Sequence, residues 1–184
     1  MRTADRWLQL RRIHMALPHV QAGDRLLDVG CRDGAFIDRV RDRVARAVGI
    51  DPLAEPAQSI KVTILRGSVP GDPRLEAESF DCITMLATLE HVDEPAAVGC
   101  DCFRLLAPGG RLILTVPHLI VDRILSALIW FRVADGMGLG PHRSFDLRTT
   151  EPLLSHAGFR LVATQPFEFG LNRLFVFEKP VTRA

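Results

Sequence analysis

The sequence lacks an excess of charge of either sign. Its 23 basic and 22 acidic side chains among 184 residues leave a formal net charge of +1 at pH 7. Proteins that bind nucleic acid normally carry a basic patch or stripe, so we expect no nucleic-acid partner. Arginines 39, 41, 43 and 46 are interleaved with Asp38 and Asp42, which is typical of a solvated helix face.

Long apolar runs are also missing. No stretch approaches the roughly 20 residues that span a bilayer. Residues 1–20 carry neither the apolar core nor the small-residue cleavage site of a secretory signal. We therefore expect a cytoplasmic protein.

Cysteine is scarce, and its spacing does not form a metal framework. The four cysteines stand at positions 31, 82, 100 and 102. Cys100 and Cys102 are two residues apart on a predicted helix, so they point to nearly opposite sides. We expect buried thiols in a reducing compartment and no metal site.

What the sequence does contain is a repeated order of apolar strand, turn and amphipathic helix. The predicted strands in the first two thirds read RLLDVG, RAVGID, KVTIL, DCITML and RLILTVP. Alternating strands and helices with near-continuously apolar strands indicate an α/β fold, doubly wound around a mostly parallel sheet. Two extended runs, FRLVATQPFEF and LNRLFVFEKP, predict an antiparallel pair at the sheet edge. We expect residues 1–184 to form one domain.

The turn LLDVGCRDGAF, residues 26–36, follows the first strand and predicts a site for a nucleotide-like ligand. A dinucleotide site would require G-x-G-x-x-G. Counting from Gly30, glycine is missing at Arg32 and Ala35, although Gly34 is present. The pattern therefore disfavours a nicotinamide dehydrogenase.

Asp51 ends the second predicted strand, 23 positions after Asp28. The ends of these two strands are expected to be neighbours, beside the crevice where ligands bind in open parallel sheets. A carboxylate at this position can accept both hydroxyls of a ribose. The alternative is a strand-end aspartate that only caps the following helix.

Taken together, the sequence resembles the class I S-adenosylmethionine-dependent methyltransferases, in particular the small-molecule enzymes of the ubiquinone and menaquinone biosynthesis type. The motif acid-x-Gly-x-Gly-x-Gly appears as Asp28, Gly30, Arg32 and Gly34. SFDCITMLATLEHVDEP, CFRLLAPGGRLILTVP and HRSFDLRTTEPLLSHAGF resemble later segments in the family's order. The resemblance covers about residues 24 to 179 and implies a Rossmann-like, seven-stranded sheet with an antiparallel C-terminal edge strand.

The resemblance implies S-adenosylmethionine as cofactor and assigns its contacts. The turn from Asp28 to Gly34 would face the methionine end, and Asp51 would bind the ribose. The remaining implied contacts are Cys31, Arg32, Pro52, Leu53, Ser68, Val69, Met85, Leu86 and Ala87. Two positions depart from the family. Arg32 replaces a glycine, so its side chain either turns to solvent or pairs with the cofactor carboxylate. Ser68 replaces an aspartate that would bond the adenine.

The predicted reaction is methyl transfer to an oxygen, nitrogen or carbon of a small, lipophilic acceptor. Candidate bases are His91, His118 and His142, because the first two follow strands at the crevice and the third opens a family-like segment. The apolar stripe within residues 119–141 predicts a lid or substrate-side insertion. A core helix, a dimer contact and, less favoured, peripheral membrane contact stay open as alternatives for that stretch. The alternative function is that of a non-catalytic partner or regulatory subunit that binds S-adenosylmethionine without transferring its methyl group.

Overall fold

The computed structural model describes residues 3–117 and 146–181. Within those ranges the helices are α1 (Thr3–Ala16), α2 (Ala35–Val40), α3 (Pro95–Leu105) and α4 (Thr150–His156). The strands are β1 (Arg25–Val29), β2 (Arg46–Asp51), β3 (Ala57–Gln58), β4 (Val62–Arg66), β5 (Phe80–Leu86), β6 (Leu106–Pro117), β7 (Arg160–Phe167) and β8 (Asn172–Glu178). Short 3-10 helices include Leu89–His91 and Glu168–Gly170.

The described strands form one sheet in the order β3-β4-β2-β1-β5-β6-β8-β7. Strands β4, β2, β1, β5 and β6 pair in parallel, whereas β8 pairs antiparallel with both β6 and β7. The doubly wound, mostly parallel α/β fold predicted from the sequence is confirmed.

Two details of the sheet differ from the prediction. The sheet has eight described strands rather than seven, because the two-residue β3 pairs antiparallel with β4. The antiparallel C-terminal strand β8 is present, but it lies one place inside the edge, between β6 and β7. The extended runs therefore do form an antiparallel pair at this end of the sheet, with β7 outermost.

Both faces of the sheet are covered, which explains why its strands are almost continuously apolar. Leu26, Cys82 and Ile113 share one cluster with residues of α1 and α2. Leu27 and Ile83, their neighbours in sequence, share the opposite cluster with residues of α3 and α4. Successive residues of a strand point to opposite faces, so each strand supplies both clusters.

Smaller expectations have mixed outcomes. Helix α2 ends at Val40 and β2 begins at Arg46, so the predicted helix face with arginines 39, 41, 43 and 46 is wrong beyond Val40. Cys31, Cys82 and Cys102 are buried as expected, whereas Cys100 is exposed, so the expectation of a buried thiol is wrong at that position. All four cysteines are free thiols. In the ranges given above, no helix has both the length and the apolar character needed to cross a membrane.

Candidate active site

The ends of the parallel strands bring the predicted ligand-binding residues to one edge of the sheet. Asp28 lies near the end of β1, Asp51 ends β2, and Leu86 ends β5. Strand β1 lies between β2 and β5. The turn after β1 is therefore flanked by both of the other loops, in the place where open α/β sheets bind ligands.

Gly30 opens this turn and is required for a packing reason. Its φ is +79°, and a Cβ placed there would lie 2.3 Å from Thr88 Oγ1. The Thr88 hydroxyl in turn donates to the backbone oxygen of Val29 at 3.2 Å. The missing side chain thus lets the loop after β5 close onto the turn after β1.

Arg32 has the backbone conformation of the glycine that it replaces in the family motif. Its φ is +44°, a left-handed value that few residues other than glycine adopt. The side chain is exposed, and its backbone N–H donates to Asp51 Oδ2 at 3.2 Å. The turn therefore uses the main chain of Arg32, while its guanidinium lies toward solvent.

Asp51 is held by two backbone groups. Oδ2 accepts the N–H of Arg32, and Oδ1 accepts the N–H of Leu53 at 2.7 Å. A carboxylate oxygen has two acceptor sites, so each oxygen keeps one for a further donor. Pro52 and Leu53 are both exposed beside it, and 77% of Leu53 is accessible. Asp51 thus organises its own loop and keeps acceptor capacity for a ligand. No helix follows it before β3, so the alternative of a helix-capping aspartate is wrong.

Asp28 is buried at the centre of the site, with 3% of its surface exposed. Its Oδ1 accepts a hydrogen bond of 2.6 Å from Thr84 Oγ1 on the neighbouring strand β5. The pKa of Asp28 is raised to about 7. Burial is the largest cause, the charges of Asp51 and Asp33 act in the same direction, and the Thr84 hydrogen bond opposes them. The same buried, acidic surroundings raise the pKa of the Cys31 thiol to about 12, so this thiol stays protonated at neutral pH.

The other predicted contact residues differ in their exposure and in the groups that a ligand could reach. Ser68 is exposed, whereas Val69 and Met85 pack into the core on the α3 face. The two core residues can therefore meet a ligand only through their main chain. Leu86 is half-buried, and Ala87, with φ +55°, donates its N–H to the Thr115 hydroxyl at 3.0 Å. These contacts stay predictions, as do those of Gly34 at the start of α2.

Of the three histidines predicted as bases, the structure places His91. It ends the 3-10 helix Leu89–His91, where it is exposed and follows the buried Glu90. His118, His142 and the predicted lid 119–141 lie outside the described residues. In the part of the chain that the structure describes, no group of three or more His, Cys, Asp or Glu side chains is arranged so that it could hold a metal ion.

The charge of the turn discriminates between ligands. Asp28, Asp33 and Asp51 are close enough that the latter two raise the pKa of the first. Three neighbouring carboxylates oppose a diphosphate and favour a cation. S-adenosylmethionine carries a sulfonium and an ammonium group, and its ribose supplies two hydroxyl donors for Asp51. The residues present therefore fit this cofactor and do not fit a dinucleotide.

Comparison with known proteins agrees with this geometry. A family profile described as a methyltransferase domain matches residues 3–164. The chain belongs to the class I S-adenosylmethionine-dependent methyltransferases. This confirms the family predicted from the sequence, and with it S-adenosylmethionine as the cofactor.

Similar proteins include the ubiquinone biosynthesis O-methyltransferase of Hahella chejuensis, 37% identical over 116 residues, or 58% of this chain and 49% of that relative. The chain spans about half the length of the curated relatives it matches. Two solved structures share the fold of this chain. A Haloferax volcanii methyltransferase in complex with the Trm112 activator has a TM-score of 0.72 at 16% identity, covering 98% of this chain and 97% of its own. An S-adenosylmethionine-dependent methyltransferase from Mesorhizobium loti has a TM-score of 0.70 at 19% identity, covering 93% and 97%.

Sequence reasoning missed several polar residues of this edge. Thr84, Thr115 and Asn172 are each at most 2% exposed, and Glu168 is 9% exposed. For Thr84 a signal exists, because a lone hydroxyl in the apolar strand DCITML needs a partner. Glu168 and Asn172 carry no such signal in the sequence. They flank the turn between β7 and β8, where polar residues are ordinarily solvated.

Proposed function

We propose that this methyltransferase transfers the methyl group of S-adenosylmethionine to a hydroxyl oxygen of a small, lipophilic molecule. The observation that carries the cofactor half of the proposal is the Asp51 carboxylate, which the Arg32 and Leu53 amides hold beside the glycine turn with acceptor sites left open. The choice of oxygen is supported by relatives named as O-methyltransferases. The apolar stripe in the sequence of residues 119–141 supports a lipophilic acceptor.

In this proposal the chain binds and orients the cofactor and the acceptor and shields them from water. The cofactor, when bound, supplies an activated methyl group on a positively charged sulfur. Asp51 accepts the ribose hydroxyls through the acceptor sites that the Arg32 and Leu53 amides leave open. The ionised form of Asp28 offsets positive charge at the methionine end. Alignment of the acceptor with the methyl group lowers the barrier by several kcal/mol.

We also infer that the protein acts in the cytoplasm. Cys31, Cys82 and Cys102 are buried free thiols, and Cys100 is an exposed one. Free thiols, including one at the surface, are typical of proteins from a reducing compartment.

Calorimetry with S-adenosylmethionine, its demethylated product and NAD tests the cofactor. We expect the first two to bind and NAD not to bind. Asp51→Asn should weaken binding of the first two about tenfold, because hydrogen bonds to a charged acceptor are lost. Asp42→Asn, on the exposed segment after α2, is the matched control and should change nothing. Binding of NAD alone would contradict the proposal.

Turnover is measured separately, with a tritium-labelled methyl group and an organic extract of small hydroxylated molecules. Label in the organic phase is the expected result. Tight cofactor binding without transfer to any extract would favour the alternative, a non-catalytic partner that keeps the cofactor pocket.

A further inference from the structure

A buried polar pair lies at the same edge of the sheet as the cofactor site, two strands away from β5. Glu168 and Asn172 flank the turn between β7 and β8, and they are 9% and 2% exposed. In the sheet register Asn172 lies opposite Pro117, the last residue of β6. The pair therefore stands at the carboxyl end of the parallel strands.

The two side chains are hydrogen-bonded to each other and incompletely satisfied. Asn172 Nδ2 donates to Glu168 Oε2. Among the residues that the structure describes, Glu168 Oε1 and Asn172 Oδ1 are buried and have no hydrogen-bond partner. The amide orientation follows from chemistry, since a carboxylate can accept from an amide nitrogen but not from an amide oxygen. Both open atoms are acceptors, so the missing partner must be a hydrogen-bond donor.

The main chain supports a functional role for this turn. Glu168 and Phe169 are consecutive non-glycine residues with φ of +51° and +57°. Such left-handed residues are unfavourable, and they persist only where the surrounding structure holds them in place. In this conformation the Glu168 side chain is buried, whereas Phe169 is fully exposed.

The pair faces the same side of the sheet as the buried acid of the cofactor site. Asn172 lies two and four residues before Leu174 and Val176, so it shares their face of the sheet. Those two residues pack in the cluster that also contains Leu26 and Cys82. Asp28 and Thr84 lie two residues after Leu26 and Cys82, respectively, so they point to the same face. Strands are spaced about 4.8 Å apart, which puts Asn172 roughly 10 Å across the sheet from β5. The carboxyl end of β6 lies between the two strands.

We propose that Glu168, positioned by Asn172, binds the hydroxyl of the methyl acceptor and takes its proton. This inference rests on the proposed function. The acceptor oxygen forms a bond to the methyl carbon, the carbon–sulfur bond breaks with its electron pair going to sulfur, and the hydroxyl proton moves to Glu168 Oε1. Charge balances, because one carboxylate and one sulfonium become a neutral acid and a thioether.

The test measures binding of two probes in the presence of the demethylated cofactor. Catechol offers hydroxyl donors, and 1,2-dimethoxybenzene has the same ring without them. We expect the wild type to bind catechol about tenfold or more tightly than the ether. Glu168→Gln keeps the bond from Asn172 but presents an amide N–H in place of Oε1, so this preference should vanish. Glu76→Gln, at the exposed amino-terminal side of β5, is the control and should keep the preference.

The demethylated cofactor reports separately on folding and on the proposed function. It should bind the wild type and both variants equally, since Glu168 is not among its predicted contacts. If it binds none of them, the proposed function fails. If it binds all three but the wild type shows no preference for catechol, or no binding of either probe, the assignment of Glu168 is wrong. A preference that survives in Glu168→Gln would overturn the assignment as well.

Discussion

Thr84 Oγ1 donates a hydrogen bond of 2.6 Å to Asp28 Oδ1, linking β5 to β1 beneath the glycine turn. This bond stabilises the ionised carboxylate, whereas burial and the neighbouring acids destabilise it. The balance puts the titration of Asp28 near neutral pH. The charge of the site, and hence its attraction for a cationic cofactor, is therefore sensitive to pH in the physiological range.

Asp28→Asn should stabilise the cofactor-free protein at alkaline pH. The pKa of Asp28 is about 7 in the folded state against a reference value of 3.8, so the folded state binds more protons between these values. Wild-type stability therefore falls as pH rises from about 4 to 7, by on the order of 2–4 kcal/mol. The variant lacks this loss. Urea unfolding at pH 4.5 and pH 8 should show a difference between the two proteins that is larger at pH 8. The exposed Asp42→Asn is the control, and an equal difference at both pH values would contradict the assignment.

Thr84→Val should shift the pH dependence of cofactor binding. Removing the hydroxyl removes the interaction that lowers the pKa of Asp28, so the carboxylate ionises at higher pH. Affinity for S-adenosylmethionine should rise with pH in both proteins, with the midpoint moved upward by about one unit in the variant. Calorimetry from pH 6 to pH 9 gives both curves. Thr63→Val on β4 should leave the midpoint unchanged, and coincident curves for Thr84→Val and wild type would refute the prediction.

Gly30→Ala and Gly34→Ala form a matched pair. Both glycines have left-handed φ, +79° and +73°, so alanine is strained at each by about 1–2 kcal/mol. Only at Gly30 would the new methyl meet Thr88, at 2.3 Å, while nothing lies within 4 Å at Gly34. We expect Gly30→Ala to lower the free energy of unfolding by at least about 2 kcal/mol more than Gly34→Ala. Adding Thr88→Ala should recover part of that difference, and equal costs at the two sites would argue against the close packing.

Arg32→Gly tests whether the guanidinium contributes to the site. The side chain is exposed, and the contact to Asp51 comes from the backbone N–H, which glycine retains. Cofactor affinity should therefore change by less than about twofold, and stability by less than about 1 kcal/mol, because relief of the left-handed strain offsets the entropy of glycine. Arg32→Val, a β-branched residue at the same φ, should destabilise the protein. A large loss of affinity in Arg32→Gly would place the guanidinium on the cofactor.

The sequence was sufficient for the regular parts of the fold. β2 has the bounds Arg46–Asp51 that RAVGID predicts, because an apolar strand buried on both faces between polar ends is a strong pattern. β3 was missed because its two residues are exposed and show no alternation. The inner place of β8 was missed because hairpin patterns give pairing partners but not which strand is outermost.

The site divides in the same way. Asp28, Gly30 and Asp51 are recognisable because glycine and acid at strand ends form a spaced motif. Glu168 and Asn172 are not, because their burial depends on β8 lying beside β6, a contact between segments more than fifty residues apart. The left-handed backbone of Arg32 is equally hidden, since arginine is a poor indicator of positive φ.

The two amides that hold Asp51 come from different loops, one after β1 and one after β2. The carboxylate is therefore preorganised: its rotamer is selected when the sheet folds and not when a ligand arrives. Binding then avoids the entropy cost of ordering that side chain, about 0.5–1.5 kcal/mol for a flexible residue. In the proposed binding mode it also couples the two ends of the cofactor, because a change that moves the Arg32 backbone, at the proposed methionine side, moves the Asp51 carboxylate proposed to bind the ribose.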